Sequence, residues 1–276
     1  MSHAITVLSP RDLPGCLRLA QDREWSREED KWRLLFEVGT GYGVRDDAGE
    51  LIGSAVLTRY GTEAAAVSMV LVARRHGGRG IGRALMTHVL AQAGDATVFL
   101  NATGYGRPLY EKLGFVQVGV THTHTGHLAP TRVEPSTRPA RPDDLPAIRR
   151  LDAQANGADR TDVLDRLPDF AERLHVLERH GRVTGYAGVW RNPDHAVVGP
   201  VIADDTDDAI ALIVGLARET DGPLRLDLDG RHPQLRAWAT QHGVTEWFTT
   251  DVMVHDGRPL PGDRERWFVP LMQALG

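Results

Sequence analysis

One pattern of elements is written twice in this chain of 276 residues, and that repetition limits its fold more than any single residue does. Ser9-Pro10-Arg11-Asp12-Leu13-Pro14 is echoed by Arg141-Pro142-Asp143-Asp144-Leu145-Pro146, and Leu51-Ile52-Gly53-Ser54-Ala55 by Val183-Thr184-Gly185-Tyr186-Ala187. Both echoes are displaced by 132 positions (144 − 12 and 185 − 53). Leu113-Gly114-Phe115 returns as His242-Gly243-Val244, displaced by 129 (243 − 114). Similarity at a fixed spacing marks a duplicated unit, and the length exceeds the commonest single-domain size. The Pro- and Thr-bearing stretch 129–137 reads as a connector, giving domains at 1–128 and 138–276.

Each unit has the same order of elements. In the first, 5–7 reads as a strand, 12–22 and 28–37 as helices, and 42–45, 51–58 and 64–72 as a strand meander. A helix over 81–92 places Ile81, Ala84, Leu85 and Val89 on one face. A strand over 97–101 turns through Gly104-Tyr105-Gly106-Arg107-Pro108 into a short helix over 109–113, closed by Gly114. The second unit repeats this with strands 183–190 and 196–202, helix 206–218, strand 224–228 and helix 233–242. The expected fold class is α/β (α+β): two tandem domains, each a mixed, mainly antiparallel sheet flanked by helices.

The chemistry concentrates in the first unit. Val70 to Ala73 is an apolar strand end, Arg74-Arg75-His76-Gly77-Gly78-Arg79-Gly80-Ile81-Gly82 a glycine-rich turn, and Arg83-Ala84-Leu85 the start of a helix. Glycines let the backbone approach a ligand closely, and the free N–H groups and dipole of a helix N-terminus favour phosphate oxygens. A P-loop would need Lys-Ser or Lys-Thr after its last glycine, where Arg83-Ala84 stands. A dinucleotide fingerprint would need Gly-x-Gly-x-x-Gly, and Gly78-Arg79-Gly80-Ile81-Gly82 does not fit that spacing.

The order and spacing instead resemble the pyrophosphate loop of GNAT acyltransferases, Arg/Gln-x-x-Gly-x-Gly/Ala, and Leu109-Tyr110-Glu111-Lys112-Leu113-Gly114-Phe115 is similar to a second signature of that family. The resemblance covers essentially the full chain and implies a tandem GNAT protein. It implies that Gly77, Gly78, Arg79, Gly80, Ile81, Gly82 and Arg83 grip the pyrophosphate of acetyl-CoA or another short acyl-CoA. The pantetheine arm would run beside Leu71 and Val72, and Tyr110 would be the general acid that protonates the departing thiolate. Gly77 stands where the family usually has Arg or Gln, leaving Arg74, Arg75 or Arg79 to substitute, while Thr103 and Gly106 replace an Asn and an Ala. In the second unit the loop reads Asp204-Asp205-Thr206-Asp207-Asp208, which satisfies a helix N-terminus by itself and repels pyrophosphate, and Ala239 takes the tyrosine position. The expectation is an active first domain and a degenerate second one.

The expected reaction is N-acylation, by acetyl transfer, of a small-molecule or peptide amine by direct attack. No dedicated base stands out: Ala64, Ala65 and Ala66 fill the strand, Ser68 alternates with apolar neighbours, Glu63 is the nearest carboxylate and His88 follows on the helix. A water chain serves as the preferred proton route. Trp25, Tyr60 and Asn101 are the candidate substrate contacts, with Glu24, Asp30 and Trp32 nearby, and aromatic walls with carboxylates suit a cationic amine. Trp238, Trp247 and Phe248 read as packing a core or the interface between the domains. The alternation in 121–127 sets His122 and His124 on one face, read as a solvent-facing strand and not a metal site. A net charge of −5 argues against nucleic acid. No apolar run approaches a membrane span and no leader is recognised, so a cytoplasmic location is expected, with a homodimer as one option for assembly. Cys16, the single cysteine, falls in a helical apolar pattern and reads as packing. The competing reading is a non-catalytic acyl-CoA sensor, which would have no use for Tyr110; a third is a structural role for the second half, covering the substrate cleft of the first.

Overall fold

The computed structural model describes residues 4–134 and 136–276. The first unit contains β1 (Ile5–Val7), α1 (Leu13–Asp22), α2 (Glu29–Val38), β2 (Thr40–Arg45), β3 (Leu51–Tyr60), β4 (Ala64–Val72), α3 (Ile81–Ala93), β5 (Thr97–Ala102), α4 (Arg107–Glu111) and β6 (Phe115–Gly126). The second repeats it with β7 (Thr137–Pro139), α5 (Leu145–Asn156), α6 (Thr161–Phe170), β8 (Arg173–Arg179), β9 (Arg182–Arg191), β10 (Ala196–Ile202), α7 (Thr206–Ala217), β11 (Leu224–Asp229), α8 (Pro233–Gln241) and β12 (Thr245–His255), then adds β13 (Trp267–Val269). The fold is a mixed α/β architecture with a mostly antiparallel sheet flanked by helices, as the repeat predicts.

Each unit begins as an antiparallel meander, β1 to β4 or β7 to β10, and then makes one parallel pairing, β4 with β5 or β10 with β11. Beyond these pairings the two units exchange strands. β12 of the second unit lies between β5 and β6, and β6 of the first lies between β12 and β11, so one continuous sheet of 13 strands crosses the boundary of the repeat. The apolar core is equally shared: Trp32 and Leu35 of α2 belong to the same cluster as Ile148, Val163 and Trp190 of the second unit. Each half depends on a strand of the other, which sets their relative position.

Position on the sheet corrects two expectations. As an interior strand, β6 cannot be the solvent-facing strand read from its alternation; His124 is only 2% exposed, and the His122 Nδ1 meets Glu246 Oε2 at 2.7 Å. Tyr60, two residues beyond the strand expected over 51–58, is the last residue of β3 and is buried. Cys16 is fully buried in α1 as its pattern predicts, and burial pushes its thiol up to about 12. α3 can lie close on β3 because residue 53 is glycine: a Cβ there would sit 2.8 Å from Ile81 Cγ2. Among the described residues no helix is long and apolar enough to cross a membrane.

Candidate active site

The site begins where two strands part. β4 pairs with β5 only from Ala64 to Ala66, opposite Thr97 to Phe99, although β4 continues to Val72. Within that extension the β3 register slips: Val56 faces Ser68, but Ser54 faces Leu71. Met69 takes up the slip with φ +50, an uncommon conformation for a side chain of this size, and the Ser54 hydroxyl donates to its carbonyl at 2.9 Å. The bulge and the parting of the strands leave the β5-facing peptide groups of 67–72 without a strand partner. Leu71 and Val72 lie at this opening.

The glycine turn completes a cradle at its end. Gly78 and Gly80 adopt φ +75 and +80, and a Cβ at either would meet nothing within 4 Å, so the loop backbone borders open space. Gly80 caps α3 without a side chain of its own to offer, and the first helical bond runs from the Ala84 N–H to the Gly80 carbonyl at 2.9 Å. The N–H groups of Ile81, Gly82 and Arg83 therefore have no acceptor within the helix, and the dipole points the same way. Of the arginines, Arg74 is tied down: its N–H donates to Asp22 at 2.6 Å and its guanidinium pairs with Glu24 at 2.7 Å. Arg75 reaches Asp46 at 3.4 Å. Arg79 touches only His76, and Arg83 has no carboxylate within ion-pair distance among the described residues, so these two carry the available positive charge. Gly77 adds only backbone.

α4 packs against the start of α3, with a Cβ on Gly82 falling 3.2 Å from Leu109 Cδ2. At its N-cap, a Cβ on Gly106 would lie 2.9 Å from Tyr110 Cε2, which explains a glycine here: the ring rests on the turn backbone. Thr103 Oγ1 accepts from the Gly106 N–H at 3.3 Å and holds that turn. Tyr110 is buried, and burial pushes its phenol up to about 12. The hydroxyl thus keeps its proton at neutral pH, and it makes no hydrogen bond among the described residues.

A cavity of about 320 Å³ opens at the bulge, bounded by Ser68, Met69, Asn101 and Thr103. Trp25 lines it, 38% exposed, with Glu24 and Glu28 from the same connection. The far wall comes from the second unit: Trp190, Asn192, His195, Asp227 and Trp247, closed below by Gln273. Asn101 is held firmly, donating to the Gln273 carbonyl at 3.0 Å and accepting from Thr121 Oγ1 at 3.0 Å. Tyr60 is not brought here; its hydroxyl donates to the Leu275 carbonyl at 2.5 Å inside the core. Trp32 is core, His88 packs edge-on against Tyr42 at 4.7 Å, and Glu63, just before β4, lies far from the bulge. Trp247, read as packing a core or the domain interface, stands between the two units on the cavity wall and is 64% exposed. Which second-unit residues form this wall is set by the strand exchange, which local patterning does not show.

Both halves match families described as acetyltransferase (GNAT) domain, over residues 28–129 and 148–269. The chain belongs to the GNAT acetyltransferase family, with two such domains in tandem. It is 27% identical over 275 residues to the uncharacterized N-acetyltransferase YitH of Bacillus subtilis, covering 98% of this chain and 97% of that one. Among solved structures, a putative acetyltransferase from Pyrococcus horikoshii superposes with a TM-score of 0.82 at 20% identity, covering 100% of this chain and 96% of the other. A tandem GNAT protein from the clavulanic acid biosynthesis pathway gives 0.62 at 14% identity, covering 93% and 99%.

Set against its first GNAT domain, the second has the same openings closed from within. β10 and β11 pair only from Ala196 to Val198, opposite Leu224 to Leu226, and where they part β13 pairs with β10 through Val201 and Ile202 while packing against β11. At the start of α7, Asp205 accepts from the Asp208 N–H at 2.9 Å, Asp208 pairs with Arg179 at 2.6 Å, and Asp204 pairs with Arg266. Ala239, at the tyrosine position, is fully buried.

Proposed function

We propose that this tandem GNAT protein transfers acetyl from acetyl-CoA to a cationic primary amine, with one acyl-CoA site per chain, in the first domain. The observation that carries the reading is the course of β4, which lines the cavity at Ser68 and Met69, parts from β5 beyond Ala66 and leads through the glycine turn to the open N-terminus of α3. In this reading the pyrophosphate lies on the N–H groups of 78–83 with Arg79 and Arg83 beside it. The pantetheine arm takes up the unpaired peptide groups near Leu71 and Val72, and a backbone N–H of the bulge polarises the thioester carbonyl. The amine enters from the cavity and attacks the carbonyl carbon; the C–S bond breaks as Tyr110 gives its proton to the leaving sulfur, and the proton shed by the new amide nitrogen returns to the Tyr110 phenolate. A phenol raised to about 12 is a full-time donor at neutral pH.

The acceptor class is argued from the cavity wall. Glu24, Glu28, Asp194 and Asp227 face it against Lys31 and Arg225, leaving it negative, and Trp25, Trp190 and Trp247 supply aromatic faces for an ammonium. The acceptor is a small-molecule or peptide amine, and the location we assign is the cytoplasm. Thiol release from acetyl-CoA over a panel of amines tests the reading. Tyr110→Phe is expected to lower kcat by about 10²-fold with CoA affinity unchanged. Unchanged turnover would remove Tyr110 from its role, and tight CoA binding with no turnover by the native protein would favour a sensor.

A further inference from the structure

An amine reaches this site protonated and must lose a proton before it can attack, yet the first domain offers no group to take it. β4 carries Ala64, Ala65, Ala66 and Ser68 in the relevant stretch, and neither Glu63 nor His88 is among the residues lining the cavity. The charged groups that do line it are engaged. Glu24 pairs with Arg74 at 2.7 Å, and Glu28 with Lys31. Asp194 accepts from Ser26 Oγ at 2.9 Å. Asp227 accepts from Thr123 at 2.7 Å and from Gln273 at 3.0 Å, and pairs with Arg225 at 3.1 Å.

One titratable side chain on the wall is different. His195 lies in the turn between β9 and β10, where Asn192 Oδ1 accepts the N–H groups of Asp194 at 3.0 Å and His195 at 2.6 Å and so fixes the backbone that carries the imidazole. The ring leans on Trp247 with centroids 6.3 Å apart, and neither ring nitrogen has a hydrogen-bond partner among the described residues. Resting on the acyltransferase reading, we infer that His195 of the second domain is the proton acceptor for the amine. The ammonium N–H bond gives its proton to an imidazole nitrogen, directly or through one water. Its electron pair becomes the lone pair that attacks the thioester, and the imidazolium later releases the proton through the cavity mouth.

The surroundings keep the ring in its accepting form. Desolvation lowers the His195 pKa from the ordinary histidine value, Arg225 on β11 lowers it further, and Asp194 on the same turn opposes both. The Glu28 and Lys31 pair, and Glu24 with Arg74, face the cavity from the first domain as nearly neutral pairs. Because the folded pKa is depressed, the imidazole is neutral and competent throughout the neutral range, and kcat/KM is lost only as the pH falls through that depressed value. The arrangement also gives the second domain a chemical task after the loss of its own ligand loop.

The test is a pH profile of thiol release by the full-length chain, with acetyl-CoA and putrescine, tyramine and lysine amide as acceptors, for the native protein, His195→Gln and His195→Asn. The expected result is a fall in kcat of about 10²-fold with acceptor KM within about threefold. The acidic limb of the profile should vanish, the rate should rise again toward high pH where the free amine accumulates, and added imidazole should restore part of it. CoA affinity, measured by calorimetry, should stay constant and shows that the variants are folded. Unchanged kcat and an unchanged acidic limb in both variants, with the native protein active, overturn the role of His195 and leave the acyltransferase reading standing. Absence of thiol release by the native protein with every amine overturns both.

Discussion

Two helices start at equivalent places in the repeat, α3 after a glycine turn and α7 after a run of aspartates, and they dispose of the same excess of N–H groups in opposite ways. α7 is satisfied from within, by the Asp205 carboxylate on the Asp208 N–H, and Arg179 and Arg266 neutralise the acidic neighbours. α3 has Gly80 at the same point, with no side chain to bond its own amides and open space beside it. The neighbouring strands differ in the same sense: β13 fills the parting of β10 and β11, whereas the parting of β4 and β5 leads into a cavity. A duplicated fold has thus kept its shape while one copy supplies from within the partners that the other leaves open. The second copy then turns its outer wall toward the first copy's cavity.

The largest expected effect breaks this comparison at its open end. Gly80→Val places a β-branched side chain at φ +80 and puts methyl groups into the space the phosphate would enter. CoA affinity should fall by at least about 10²-fold, close to 3 kcal/mol, by calorimetry. Native affinity in this variant would show that the α3 terminus is not the anion site. The measurement requires the whole chain, because β6 and β12 are exchanged and an isolated half would lack a strand neighbour.

A smaller effect sharpens the comparison at the shared wall. Trp247 is mostly exposed on β12, so Trp247→Ala should change stability by no more than about 0.5 kcal/mol. If the second domain selects the acceptor, the same variant should raise acceptor KM by about tenfold while leaving CoA affinity alone. An unchanged KM across the amine panel would return that wall to a purely structural part.

What was legible in the sequence was what depends on neighbours along the chain. The helix over 81–92 matches α3 within a residue, the strand over 196–202 matches β10, and the glycine turn lies at the helix start where its spacing put it. What could not be read depends on partners far away in sequence. His122 and His124 alternate like a surface strand, but β6 is interior because β11 and β12 flank it, and Glu246 arrives from 124 residues away. Tyr60 was misplaced for a related reason: the strand runs on to it and its hydroxyl is taken by Leu275 at the far end of the chain. Trp247 and His195 became visible only when the exchange brought the second domain against the first. Periodicity reports which face is buried, not which domain buries it.

The smallest effect asks which of the two closures in the second domain excludes a ligand. Asp205→Ala removes the cap from α7 and should cost about 1 kcal/mol, read as a lower denaturation midpoint, since the Asp208 N–H loses its acceptor while the Arg179 pair remains. Removing that carboxylate also frees the helix N-terminus and lessens its negative charge, which taken alone would favour an anion. Yet the calorimetric stoichiometry should remain one CoA per chain, because β13 still occupies the parting of β10 and β11 that a pantetheine arm would need. A second CoA bound by Asp205→Ala would show that the aspartates alone had closed the second domain. A stoichiometry of one is what a closure seated in the strand requires, because β13 fills the parting of β10 and β11 whether or not the α7 cap is present.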